Sequence, residues 1–253
     1  MQLISFAVEG DFAAFRDPSV TTNQTVSLIP PKSAVIGIIA AIIGVRRSHS
    51  IHANLYSPEY LKLLGETHVG IKLARIPSKI TFHTNHRSLK EPKTKPFKTE
   101  LMVSPSYIFY VASSDEVKTL LLTRLKEYNF VFSPTLGHAY CPARISDVKI
   151  FEVSEVEPEN VQVSTVILDE VMEVNTVNSG VLMELDVGQE VVVERLLYHY
   201  IKKHNLERIV LRHFIPIPTE KGESSIKIER VERPLSVSRY FAVKGSDETL
   251  CLY

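Results

Sequence analysis

One stretch limits what this chain can fold into more than any other: residues 29–44, IPPKSAVIGIIAAIIG. Pro30 and Pro31 stiffen the approach, and the run that follows is apolar on every side. Ser33 is placed to act as an N-cap, its hydroxyl accepting an orphan amide at the start of a helix that begins near Ala34. Gly44 supplies the left-handed residue at which such a helix ends. A helix without a polar face has to be buried, so it is expected at the centre of a domain, with Gly37, Ala40 and Ala41 as points where neighbouring elements approach closely. Its N-terminal end gathers free amides, the positive end of the helix dipole and Lys32, a combination that attracts phosphate. The plainer alternative is a solvated lysine beside an ordinary cap. The Walker pattern is absent, because no glycine lies in the twenty residues before Lys32.

Composition narrows the class. A chain of 253 residues can bury a full core as one large or two small domains. Its 29 basic and 29 acidic residues cancel, which excludes a generally basic coat for nucleic acid but leaves room for local patches. Two cysteines, Cys141 and Cys251, build no disulfide framework, so a reduced, cytoplasmic setting is expected. The longest apolar run, Ala34 to Val45, is too short to span a bilayer and no secretion signal opens the chain, so no membrane association is expected. The pairs His49/His52, His83/His86 and His199/His204 have no cysteine or carboxylate companions at ligand spacing, so neither a metal nor another cofactor is expected.

Taken in order, residues 2–8 read as a first strand ending at the Glu9-Gly10 turn. Phe12 and Phe15 then serve as core anchors, and Arg16, on a loop ahead of the anion-attracting helix end, is a phosphate candidate. A short helix is predicted around Pro58 to Leu64. From Lys72 to Lys98 the chain carries eight Lys or Arg against the single acid Glu91, a local charge of +7. Strand-like runs flank a polar, proline-broken middle, which predicts a long basic hairpin over about residues 72–110. Its single-sign charge favours a polyanion, with Lys79, His83, His86, Arg87, Lys90, Lys93, Lys95 and Lys98 as RNA-contact candidates and Phe82 and Phe97 interleaved to stack on bases. A solubilising loop is the alternative, although loops of this length inside a domain are usually functional.

A capping box, Ser113 with Glu116, opens an amphipathic helix. An apolar stretch around 145–153 then completes the order strand, helix, strand, strand, helix, strand. That is the ferredoxin-like order used by RNA-recognition motifs (RRM), giving an α+β class. The loop SPTLGHAYCPARISDV offers Gly137, His138, Tyr140 and Arg144 near the same face, with Cys141 structural. From Phe151 to Glu194 there are eleven acids and no Lys or Arg, read as a solvated acidic sheet edge. A helix is predicted over Glu190 to His204, and strands at IVLRHFIPI, SIKIERV and RYFAVKG. The expected division is 1–153, the ferredoxin-like part with its hairpin, and 154–253, β-rich.

Only one enzyme class needs so little motif: metal-independent RNA cleavage, for which His83 or His86 with Lys79 and Tyr107 could move protons. Such residues on a basic hairpin are more often simple phosphate contacts, so a non-catalytic role is expected.

EGDFAAFRDP after the first strand, then IPPKSAVIGIIAAIIG, a basic hairpin and SPTLGHAYCPARI together resemble the CRISPR-associated Cas-five family of the RAMP superfamily. The resemblance covers roughly residues 1–150, and the length and PPKS form look most like type I-B members. It implies an antiviral-defence subunit at one end of the type I surveillance complex, Cascade, gripping the 5′ handle of the CRISPR RNA (crRNA). The implied partners are the backbone and large subunits, and target DNA through the complex. It assigns handle contacts to Arg16, Lys32 and Ser33, and makes the hairpin a thumb lying across the guide. One branch of the family cleaves precursor crRNA, and most members do not.

Overall fold

The computed structural model describes residues 1–17, 20, 23–48, 56–87, 93–171, 180–202, 205–219 and 224–253. In chain order the first elements are β1 (Gln2–Glu9), β2 (Phe12–Ala13), α1 (Lys32–Ile43), α2 (Pro58–Glu66), β3 (His68–Arg75), β4 (Ser78–Arg87), β5 (Thr94–Val103), β6 (Ser106–Ala112), α3 (Asp115–Glu127) and β7 (Arg144–Val156). There follow β8 (Val161–Val163), β9 (Ile167–Asp169), β10 (Val181–Glu184), β11 (Val191–Lys202), β12 (Asn205–Pro216), β13 (Ile226–Val231), β14 (Arg239–Val243) and β15 (Thr249–Leu252). The fold is strand-rich α+β.

Strand β1 alternates strictly, sending Ile4, Phe6 and Val8 to one face and Leu3 and Ser5 to the other. It lies between β6 and β7, antiparallel to both, and β3 closes the row, giving the spatial order β7-β1-β6-β3. Helix α1 covers the Phe6 face, where the Phe6 and Phe109 rings meet edge to face at 5.8 Å.

Beyond β7 the same sheet continues through β14, β15, β8, β13 and β10, and it curls. The curl brings the residue after β15 back to β3: Val69 and Tyr253 exchange both backbone hydrogen bonds, each 3.0 Å. A Cβ on Gly70 would stand 2.9 Å from the Cys251 carbonyl oxygen, so this approach requires glycine. Inside the curl, Leu3, Tyr110 and Ala112 of the central strands pack against Val153, Phe241, Val243, Leu250 and Leu252.

Five sequence expectations change. First, α1 starts earlier than expected, at Lys32: Pro31 is the N-cap, its carbonyl taking the Ala34 and Val35 amides, and Ser33 lies within the helix without capping it. Pro31 already has the extended backbone a cap needs, so the hydroxyl is superfluous. Second, α1 is not buried all round: Gly37 is exposed and a Cβ there would meet nothing within 4 Å. Small side chains, not a polar stripe, mark its open face. The Gly44 terminus is as expected, with φ 88°.

Third, residues 191–202 form a strand, not a helix, pairing in continuous register from Val191 opposite Pro216 to Lys202 opposite Asn205. VVVERLLYHYIK is rich in β-branched and aromatic side chains, and Leu196 and Tyr198 are buried with period two. Fourth, the acidic segment is not simply solvated. Glu152 pairs with Lys244, Glu155 with Arg239, Glu157 with Arg233, Asp169 with Arg212 and Glu184 with Lys227, at 2.5–2.8 Å. The basic residues of the later strands neutralise these acids. The α3 cap is also shifted, to Ser114, while Ser113 shares a hydrogen bond of 2.8 Å with Thr67.

Candidate nucleic-acid interface

Each of the two strand-like runs around the basic stretch is two strands broken at a proline. Ile76-Pro77 separates β3 from β4, and Ser104-Pro105, with Ser104 at φ 51°, separates β5 from β6. The inner pair leaves the core sheet as a separate hairpin, with β2 beside β5. Its register is unbroken from Ser78 opposite Val103 to Arg87 opposite Thr94.

Directly opposed residues share a face. The pairs Lys79/Met102, His83/Lys98 and Arg87/Thr94 therefore belong to one face, and Ile80/Leu101, Phe82/Thr99 and Thr84/Phe97, with Lys95, to the other. The aromatic residues that the sequence mixes among cations are thus set apart in space: Phe82 and Phe97 stand on the face opposite Lys79, His83, Lys98 and Arg87, with Lys95 near the tip on their side, while the His86 side chain lies outside what the structure describes. At the base the hairpin is anchored: the Lys79 ammonium donates to the Val26 carbonyl at 2.9 Å and Lys98 pairs with Glu100 at 3.1 Å. Further out, His83, Arg87, Lys93 and Lys95 are exposed and make no ion pair among the described residues. Lys90 lies outside the described residues.

The segment leading to α1 is held against the hairpin base. Gln24 exchanges backbone hydrogen bonds with Lys98 and Glu100, and Arg16, exposed, bridges Val26. The Glu194 carboxylate accepts the Leu28 amide with both oxygens at 2.9 Å, and the Tyr107 hydroxyl donates to the Leu28 carbonyl at 2.9 Å. Tyr107 is fully buried, and burial pushes its hydroxyl far above the ordinary tyrosine range.

Lys32 departs from its expected place. It is only 5% exposed, with its ammonium 5.4 Å from the Tyr198 ring centre, and burial holds its pKa down to about 8. It is therefore not a solvated phosphate contact at an open helix end: the β11 strand lies over it. Ser33 is half-buried and lines a groove along α1. Lys32 faces Tyr198, Arg16 bridges Val26 and the outer hairpin cations face solvent, so these candidates do not form one cluster.

Two motif segments distant in sequence do meet. The Ala14 amide donates to the Leu136 carbonyl at 2.8 Å, and Arg144 pairs with Asp11 at 2.9 Å. Gly137, at φ 95°, lies so close that a Cβ would be 2.2 Å from the Ala14 carbonyl oxygen. On the loop so fixed, His138 and Tyr140 stack at 5.1 Å, and Tyr140 is exposed. Cys141 is buried, in keeping with a structural role. The described residues contain no cluster of three metal-ligating side chains, and no helix among them is long and apolar enough to cross a membrane.

Sequence reasoning missed the groove itself. It has a volume of about 710 Å³ and runs along the exposed small residues of α1, bounded by Tyr56, Tyr60, Phe132 and Leu206, with Arg46 and Arg47 at one end. The one legible signal was the Arg-Arg pair directly after the helix.

The fold places the molecule in a class. It is similar to a crystal structure of a CRISPR protein from Archaeoglobus fulgidus over 99% of this chain and 99% of that one, at 14% identity and a TM-score of 0.62. A weaker likeness, with a TM-score of 0.49 at 13% identity over 92% of this chain and 95% of the other, is to a component of a CRISPR RNA-guided surveillance complex. No protein of curated function matches. Residues 3–216 match the family model described as CRISPR-associated protein (Cas_Cas5), and the chain belongs to that family, with a role in CRISPR defence.

Proposed function

We propose that this protein is a non-catalytic RNA-binding subunit of a type I CRISPR surveillance complex, holding the 5′ handle of the crRNA with the β4–β5 hairpin lying on the RNA. The observation that carries the reading is the hairpin's free charge. Five acids between residues 152 and 184 are paired with later basic residues, whereas Arg87, Lys93 and Lys95 have no ion-pair partner among the described residues. A projecting group of cations of one sign suits a phosphate backbone. The central order β7-β1-β6-β3, with strands and helices alternating as β1-α1-β3-β6-α3-β7, supports a ferredoxin-like reading of the core. The PPKS form of the α1 motif supports a type I-B assignment.

Handle contact would fall to Arg16 and the hairpin, with Ser33 at the groove and Lys32 acting from beneath the surface through the α1 terminus. The nuclease alternative loses its tyrosine, since the Tyr107 hydroxyl is buried and engaged by Leu28, and Lys79 is engaged by Val26.

The test is RNA binding across a salt series. Replacing Arg87, Lys93 and Lys95 by Ala should weaken binding of any RNA sequence and lower the slope of log K against log salt by ~0.7 for each phosphate that is no longer neutralised. Unchanged affinity and slope overturn the reading. Incubation with repeat RNA in EDTA should leave it intact; specific cleavage abolished by His83→Ala would replace the non-catalytic reading with the nuclease one.

A further inference from the structure

Of the groove along α1, this reading uses only Ser33, at one end. Ser33, Gly37 and Ala41 follow one another at four-residue spacing, so they lie in a single row on the helix. Nothing longer than a hydroxymethyl group rises from that row, and the space above Gly37 is open. The walls are mainly aliphatic and aromatic, from Tyr60 and Leu64 of α2, Phe132, and Leu206 at the tip of the β11–β12 hairpin, with the hydroxyls of Ser133 and Thr135 between them.

One end is cationic. Arg46 and Arg47 are exposed, and neither makes an ion pair with a described residue. Arg47 donates to the Tyr56 hydroxyl at 2.9 Å and lies 4.8 Å from that ring's centre, and Tyr56 stacks on Tyr60 at 5.7 Å. His199 stands at the same groove. Its imidazole is held below the usual histidine range by burial first and then by the Arg208 and Arg47 charges, and its Nδ1 has no partner among the described residues. No Asp or Glu lines this space, and the acid Glu59 stands with Arg46 at an adjoining recess.

We propose that this groove docks an amphipathic helix of another protein subunit, its apolar face on the Ser33–Gly37–Ala41 row and its carboxylates against Arg46, Arg47 and His199. The row of small residues lets a second helix backbone approach α1 closely, and an apolar trough matches the apolar stripe of such a helix. Charge complementarity fixes the partner's sign: a carboxylate matches the two exposed arginines at an end where the groove itself carries no acid. Nucleic acid fits less well. Its phosphates would find cations at one end only, and the Tyr56 ring face is already covered by Arg47.

The proposal rests on the reading of the protein as part of a multi-subunit complex, but on a different surface from the hairpin. The full chain, tagged and co-expressed with the other subunits of its own CRISPR complex, tests it. Gly37→Leu, which fills the trough, and the double variant Arg46→Glu/Arg47→Glu should each lower the retained protein subunits by at least about tenfold. RNA binding by the isolated chain should stay at the wild-type level, and thermal unfolding of Gly37→Leu should match wild type. Carboxylate-to-Arg changes in the partner helix should restore assembly of the double variant. Wild-type assembly by both variants overturns the proposal. So does a parallel loss of RNA binding, which assigns the groove to nucleic acid, or a wild-type dimer of the isolated chain that Gly37→Leu dissociates. Failure of the RNA reading is separately visible, as indifference of RNA affinity to the hairpin cations.

Discussion

The molecule carries two long antiparallel hairpins that are alike in length and opposite in use. In β4–β5 the outer cations are exposed, and the apolar side chains Ile80 and Phe82 are exposed as well. In β11–β12, Leu196, Tyr198, Leu211 and His213 are buried, Glu194 fastens the loop before α1, and Arg212 pairs with the buried Asp169. Equal backbone pairing therefore says little about role. What distinguishes the two is what the rest of the chain covers: β11–β12 lays a buried row of side chains into the core and holds Glu194 and Arg212 there, which makes it a clamp, whereas the outer cations of β4–β5 find no ion pair among the described residues and are an offer to another molecule.

The largest effect that sharpens this contrast is a truncation in the clamp. Leu211→Ala should lower unfolding free energy by about 3 kcal/mol, a core-sized loss, with RNA affinity unchanged in the fraction that remains folded. Denaturant titration measures it. A cost below about 0.5 kcal/mol would put β11–β12 on the same footing as a surface hairpin.

The second effect is a pH response centred on the clamp. Burial holds the His213 ring at about 4, opposed only by its hydrogen bond with the Leu211 carbonyl, and the ring lies edge-on to Tyr253 at 5.6 Å. The facing groups are therefore a carbonyl and a phenol ring. The unfolded chain binds this proton below its ordinary value of 6.5 and the folded chain only near 4, so stability should fall as pH drops between those limits. His68, likewise held to about 4 by burial and by the Lys32 and Arg239 charges against the opposing pull of Glu155, adds to the same loss. His213→Leu should flatten part of the decline in unfolding midpoint from pH 6.5 to 4. An unchanged decline would move the response elsewhere.

The smallest effect lies in the other hairpin. Ile80→Thr should change stability by less than about 0.5 kcal/mol, because the side chain is already exposed and threonine keeps the strand preference. A larger loss would mean that the apolar face of β4–β5 is structural after all.

The same contrast explains what the sequence could and could not disclose. The basic hairpin was legible because charge density and prolines are local signals, and the first strand and the Gly44 terminus were legible for the same reason. The β11 strand was misread because LLYHYIK satisfies a helical spacing as easily as a strand's. Only its pairing with residues 205–216 decides between them. The burial of Lys32 was hidden for a related reason, since the ring that covers it, Tyr198, stands on that misread strand. The groove left no signature beyond the Arg46-Arg47 pair, because a cavity is made by what surrounds it, and here the surroundings come from α2, residues 132–137 and the β11–β12 tip.

The curl of the large sheet carries a kinetic consequence. Its closing bonds join Val69 to Tyr253, so the ring cannot be completed until nearly all the chain between them is in place. Closure over such a separation costs chain entropy before any contact rewards it, and topologies of this kind fold slowly. During that interval β3 presents an open edge and the Leu3–Tyr110 face lacks its cover from Leu250 and Leu252, both of which invite pairing with other chains. A newly made molecule is thus most vulnerable to association with its own kind just before β15 and Tyr253 dock.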